Sequence, residues 1–145
     1  MSTSLLVVDA SAVVQLLLAE PGTESVDANL LHDPKWSALI APSILASETA
    51  AAITKKVRRK EITPVSAREA FQDLRAMLGS DVFALFPAND FIEPAFALSL
   101  KLHHPLHDCL YLALAQERKA ALATRDIILA RKAREAGIAA ELIGV

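Results

Sequence analysis

The chain has 145 residues, 53% apolar and 22% charged, a size and balance that suit one packed core and exclude a disordered or repeat-built polymer. Fifteen Lys plus Arg against seventeen Asp plus Glu give a formal charge of −2. A nucleic-acid partner would therefore have to be met by a local cationic patch, and a histone-like binder is excluded.

Leu5 to Val8 is a short apolar run bounded by Ser4 and Asp9, the pattern of a central strand covered on both faces. The few residues before it lack the basic flank and apolar length of a signal peptide or membrane span, which points to a cytoplasmic location. Asp9-Ala10-Ser11 can cap a helix through Leu18 or Ala19 that stops at Pro21-Gly22, and a second helix is expected over Thr23 to His32. Trp36 to Ala41 reads as a second strand. After Pro42-Ser43, Ile44 to about Lys60 is the longest helical stretch. Ser66 and Glu69 have capping-box spacing for a helix through Leu78, stopped at Gly79. Val82 to Phe86 is a third strand, and Asn89-Asp90 caps a helix reaching His103 with Pro94 in its first turns. Pro105 separates this helix from Leu106 to Arg118. A strand over Ala120 to Thr124, a helix over Asp126 to Glu135, a turn at Gly137 and a strand over Ile138 to Ile143 complete the order. Strands alternating with helices, with no long polar linker, give a single α/β domain over residues 1–145 with a mostly parallel sheet.

Four acids need a reason. Asp9 ends the first strand, Asp108 and Asp126 sit in the first turns of later helices, and Glu48 shares a helix side with Ile44, Leu45, Ala51, Ala52 and Lys55. Capping accounts for Asp9, Asp108 or Asp126 taken singly. A carboxylate among apolar neighbours, as at Glu48, is costly unless paired or bound to a cation. In an open α/β sheet, strand ends and the following helix starts face one crevice, so Asp9 and Asp126 have a topological reason to converge. A carboxylate cluster suits Mg²⁺ or Mn²⁺, and metal-assisted hydrolysis would then need no nucleophilic side chain. Cys109, the only cysteine, reads as a small buried apolar residue.

Four segments carry a family resemblance along nearly the whole chain: Leu6-Val7-Val8-Asp9-Ala10-Ser11-Ala12, Pro42-Ser43-Ile44-Leu45-Ala46-Ser47-Glu48, His104-Pro105-Leu106-His107-Asp108-Cys109-Leu110-Tyr111-Leu112-Ala113-Leu114-Ala115, and Leu122-Ala123-Thr124-Arg125-Asp126. In order and spacing the chain resembles the PIN-domain ribonucleases, and more narrowly the VapC-type toxins of toxin–antitoxin systems. The resemblance implies a three-layer α/β/α sandwich and an endoribonuclease dependent on Mg²⁺ or Mn²⁺. Asp9, Glu48, Asp108 and Asp126 would be its catalytic and metal-binding acids, with Ser11 and Thr124 supporting them. It further implies an RNA substrate, a VapB-like antitoxin and a homodimer, with no membrane association.

Phosphate recognition also needs cations. Lys55, Lys56, Arg58 and Arg59 follow Glu48 on its helix and Arg125 adjoins Asp126, so these five are candidate RNA or partner contacts, against the alternative of a solvated helix end. Pro105 prevents His103, His104 and His107 from forming a simple two-histidine face, so capping, packing or RNA contact is expected of them. Trp36 and Tyr111 are expected to pack in the core. The apolar excess of the first two helices would suit a dimer or an antitoxin segment. Other carboxylate-rich α/β enzymes fit less well. Asp9-Ala10-Ser11 lacks the second Asp of a haloacid-dehalogenase-like phosphatase, a receiver domain's adjacent acids are missing, and four glycines form no dinucleotide-binding turn. The nonenzymatic alternative is a catalytically silent PIN-like RNA-binding or regulatory protein.

Overall fold

The computed structural model describes residues 4–18, 33, 35–81 and 83–143; the helix expected over Thr23 to His32 lies outside them. In chain order the elements are β1 (Leu5–Val8), α1 (Ala10–Leu17), β2 (Ala38–Pro42), α2 (Ile44–Arg58), α3 (Pro64–Leu78), β3 (Phe83–Phe86), a 3₁₀ turn (Ala88–Phe91), α4 (Ile92–Leu102), α5 (Leu106–Arg118), β4 (Ala121–Thr124), α6 (Ile127–Glu135) and β5 (Ala140–Leu142). The strands form one sheet in the order β3-β2-β1-β4-β5, parallel at every pairing. The expected mixed α/β fold with a helix-flanked sheet is therefore present, and the sheet is wholly parallel.

This order has one functional consequence. From β1 the chain steps to β2 and β3 on one side, then returns to β4 on the other. The reversal opens a crevice beyond the carboxyl ends of β1 and β4. Asp9 directly follows β1 and Asp126 closely follows β4.

Burial explains the centre of the fold. Leu6, Val7 and Val8 are buried, as a strand paired on both edges and covered on both faces requires. Cys109 to Ala115 are also buried without a break, so α5 is enclosed by protein rather than lying amphipathically at the surface. α5 lies against β1, β2 and β4 and is covered by α4, while α1, α2 and α3 pack together.

Several boundaries differ from expectation for identifiable reasons. The start of α3 is set by Thr63, whose hydroxyl accepts from Ser66 N at 3.1 Å, with Pro64 in the first turn. Ser66 and Glu69 thus fall inside the helix, and the capping box they suggested does not form. Asn89-Asp90 provide no side-chain cap; the 3₁₀ turn runs straight into α4, and Ser43 Oγ receives Ala88 N–H at 2.9 Å. α4 stops at His103, whose φ of 51° is left-handed. The apolar excess of α1 goes largely to the core, where Ala12, Val13 and Val14 are buried, so the docking patch expected there is mostly consumed.

Candidate active site

Asp9 leaves β1 in an extended conformation and caps α1. Its Oδ1 accepts Ala12 N–H at 3.0 Å and the Ser11 hydroxyl at 2.7 Å, and its Oδ2 accepts the Thr124 hydroxyl. Only 6% of the residue is exposed. Desolvation pushes its carboxyl up to about 6; the hydrogen bonds from Thr124, Ser11 and Ala12 oppose that rise, and the nearby Asp108 charge adds to it.

The second junction is stitched to the first. Thr124 Oγ1, which donates to Asp9, accepts Asp126 N–H at 3.0 Å, and Ser11 Oγ accepts Arg125 N–H at 3.0 Å. Both expected supporting residues, Ser11 and Thr124, therefore hold the two strand ends together. Asp126 caps α6, accepting Ile128 N–H at 2.9 Å and Leu129 N–H at 3.1 Å through Oδ1, and the residue is exposed.

Glu48 and Asp108 approach from two helices. Tyr111, 1% exposed, donates its hydroxyl to Glu48 Oε1 at 2.6 Å. Burial, then Glu48, then the charges of Asp9 and Asp108 raise the phenol above its ordinary range. The fields of Asp9, Glu48 and Asp108 thus meet at one hydroxyl. Asp108 Oδ2 pairs with His104 Nε2 at 2.8 Å. His104 is held in turn: Ser99 Oγ donates to its carbonyl at 2.6 Å. Neither Tyr111 nor His104 was expected to touch a site acid. Only the His104–Asp108 separation of four residues was readable in the sequence, since His104 precedes α5 across Pro105 and Tyr111 meets Glu48 on another helix. The buried Cys109 thiol is pushed up to about 11 by burial and by Asp108, which rules against a thiolate nucleophile.

Asp9, Glu48 and Asp108 are brought into one electrostatic environment. Asp126 is tied to it through Thr124, while its own Oδ1 faces the α6 amides. Among the described residues no three His, Cys, Asp or Glu side chains stand ready as a metal-binding group. The donor chemistry nevertheless fits a hard divalent cation: Glu48 and Asp108 use the oxygens Oε1 and Oδ2 toward Tyr111 and His104, and the desolvation of Asp9 is what a cation would offset. Mg²⁺ characteristically keeps several waters, so a full shell of protein ligands is not required.

The basic segment continues from Glu48 along α2. Lys55 and Arg59, seven and eleven residues on, return to the Glu48 side of the helix, whereas Lys56 and Arg58 are turned away from it. Lys55, Arg58 and Arg59 are exposed and Lys56 and Arg125 are partly buried.

A wholly parallel α/β domain with Asp9 and Asp126 after the two strands that flank its switch point offers oxygen acceptors suited to a hard cation. The PIN domain family model matches residues 6–135, and the chain belongs to the PIN domain family. PIN domains are generally nucleases and typically use divalent metals. The fold is similar to the crystal structure of PAE2754 from Pyrobaculum aerophilum, with a TM-score of 0.65 at 20% identity, covering 97% of this chain and 90% of that one. No curated protein matches the chain in sequence. Among the described residues no helix is long and apolar enough to cross a membrane.

Proposed function

We propose that this chain is a metal-dependent endoribonuclease and the toxin of a VapC-type toxin–antitoxin pair. The observation that supports the catalytic reading is the buried Asp9 carboxylate at the sheet's switch point, held by Ser11 and Thr124 and sensing the charge of Asp108, with Glu48 held by the Tyr111 hydroxyl. These three acids and Asp126 would hold Mg²⁺ or Mn²⁺, which when bound lowers the pKa of a water and offsets phosphate charge. The remaining work belongs to the protein. Ser11 and Thr124 fix the Asp9 carboxylate from both sides, Tyr111 fixes Glu48, and His104 fixes Asp108. Lys55, Arg59 and Arg125 would draw the RNA backbone toward an otherwise repellent acidic cleft, with Lys56 and Arg58 adding to the local positive field. A homodimer fits the exposed Ile92, Phe96 and Leu100, spaced four residues apart on α4. A VapB-like antitoxin follows from the toxin reading, and cytoplasmic action from its RNA target.

Wild type, Asp9→Asn and Asp108→Asn, each purified and shown to be folded, should be given tRNA and ribosomal RNA with Mg²⁺ or Mn²⁺ and the new ends mapped. Wild type should cut at defined positions, and each variant should lose about a hundredfold or more in rate. Equal metal-dependent cutting by all three contradicts the site. The exposed carboxylate of Asp126, turned to its helix cap, favours one competing reading, a silent RNA-binding protein. RNA binding by wild type without cleavage would establish that reading.

A further inference from the structure

Three of the proposed metal-binding acids are each held by donors from elsewhere in the chain. Tyr111 on α5 gives its hydroxyl to Glu48 Oε1 on α2 at 2.6 Å. His104, just before α5, meets Asp108 Oδ2 through Nε2 at 2.8 Å, and because an ionised carboxylate only accepts, the ring N–H is the donor. Asp9 is held at both oxygens, by Ser11 and Ala12 at Oδ1 and by Thr124 at Oδ2. The donors to Glu48 and Asp108 are themselves fixed. Tyr111 is buried, only 8% of the His104 side chain is exposed, and the His104 backbone is tied to Ser99 twice, its carbonyl accepting Ser99 Oγ–H at 2.6 Å and its N–H reaching Ser99 O at 3.3 Å. Swinging either carboxylate away would break a charge-assisted hydrogen bond and leave an interior donor without its acceptor.

We propose that Tyr111 and His104 are positioning residues that set which cation the site accepts: by holding one oxygen each of Glu48 and Asp108 they oppose two-oxygen chelation, and so discriminate against Ca²⁺ in favour of Mg²⁺ or Mn²⁺. The inference rests on the metal-site reading above and carries it on to selectivity. Ca²⁺ takes about six to eight oxygens in a flexible shell, often both from one carboxylate, whereas Mg²⁺ keeps an octahedron completed by water. Turning a carboxylate to offer both oxygens costs little for a free side chain on the surface; here it costs the Tyr111–Glu48 or the His104–Asp108 bond. The competing role is that Tyr111 and His104 only satisfy interior polar atoms and stiffen the fold. Loss of a purely structural support weakens all cations alike, whereas loss of the proposed restraint helps Ca²⁺ relative to Mn²⁺.

Mn²⁺ uptake by the full chain at pH 8 is read by electron paramagnetic resonance, and Ca²⁺ affinity by its displacement of the bound Mn²⁺. Wild type should favour Mn²⁺. Tyr111→Phe and His104→Leu should each lower the Mn²⁺-to-Ca²⁺ affinity ratio, and the double variant should lower it about tenfold or more, the scale on which partners of metal ligands act. His104→Gln, whose amide still donates, should keep most of the wild-type ratio. Tyr111→Phe retains the ring in the core, so it carries the test even where a His104 variant does not fold. An unchanged ratio in folded Tyr111→Phe, or wild type binding Ca²⁺ as tightly as Mn²⁺, would overturn the inference and leave the metal site standing. No Mn²⁺ uptake by wild type would instead remove the metal-site reading, and this inference with it.

Discussion

The β1–α1 and β4–α6 junctions use the same local device with opposite outcomes. Each ends a parallel strand and starts a helix on an aspartate that caps it, Asp9 in one case and Asp126 in the other. Asp9 is buried, takes three hydrogen bonds and is pushed up to about 6, whereas Asp126 is exposed and simply satisfies two amides. The local sequence is nearly the same signal twice. Both strands are paired on two edges, so pairing does not separate them: Asp9 directly follows the central strand and its carboxylate is taken up by Ser11, Ala12 and Thr124, whereas Asp126 stands two residues beyond β4 with its carboxylate turned to the α6 amides. A carboxylate desolvated at a cost to stability is what the proposed metal-binding role of Asp9 would explain.

Thr124 joins the two junctions, so removing its hydroxyl should have the largest effect on stability. Thr124→Val leaves Asp9 Oδ2 without its donor and Asp126 N–H without its acceptor, which should cost about 2–4 kcal/mol. A melting temperature close to wild type would show that the two junctions are not mechanically coupled.

Asp9→Asn should do the reverse and stabilise the metal-free protein. Because the folded-state pKa lies above the ordinary value near 3.8, the unfolded chain releases this proton first as pH rises. The Asp9 penalty is absent below about pH 4 and complete above about pH 6, where it reaches on the order of 3 kcal/mol. Denaturant titrations should show wild type losing ground to Asp9→Asn between pH 4 and 6. A difference between them that does not change with pH would mean that Asp9 is not desolvated. Asp126 gives the smallest effect and the sharpest contrast. Asp126→Ala should cost about 1 kcal/mol as a lost cap, and Asp126→Asn should be nearly neutral, since asparagine caps as well as aspartate. A loss for Asp126→Asn as large as that for Asp126→Ala, read in denaturant titrations, would contradict the capping role.

Much of the architecture was legible from punctuation and patterning. Pro105 and the apolar run after it bound α5 correctly, Leu5–Val8 read as a doubly covered strand, and Gly79 marked the end of α3. The misses came where two local signals competed. Thr63-Pro64 beat Ser66-Glu69 as a helix start because proline is preorganised for the first turn. The site was less readable. Strand ends and the apolar side of α2 drew attention to Asp9, Glu48 and Asp126, yet the links from Tyr111 to Glu48 and from Thr124 to Asp9 join residues 63 and 115 positions apart. Such contacts depend on how the elements pack, which a pattern within one element cannot express. Tyr111 also does two jobs: its ring fills the core, as expected, while its hydroxyl holds a carboxylate.

The central claim is that the acids beyond the switch point hold a divalent cation. Mn²⁺ titration followed by electron paramagnetic resonance at pH 8, on folded wild type and on the Asp9→Asn, Asp108→Asn double variant, tests it directly. Wild type should take up Mn²⁺ with slowed relaxation of the bound ion, competed by Mg²⁺, and the double variant should lose that uptake. Equal Mn²⁺ binding by both proteins, or none by wild type, would contradict the account.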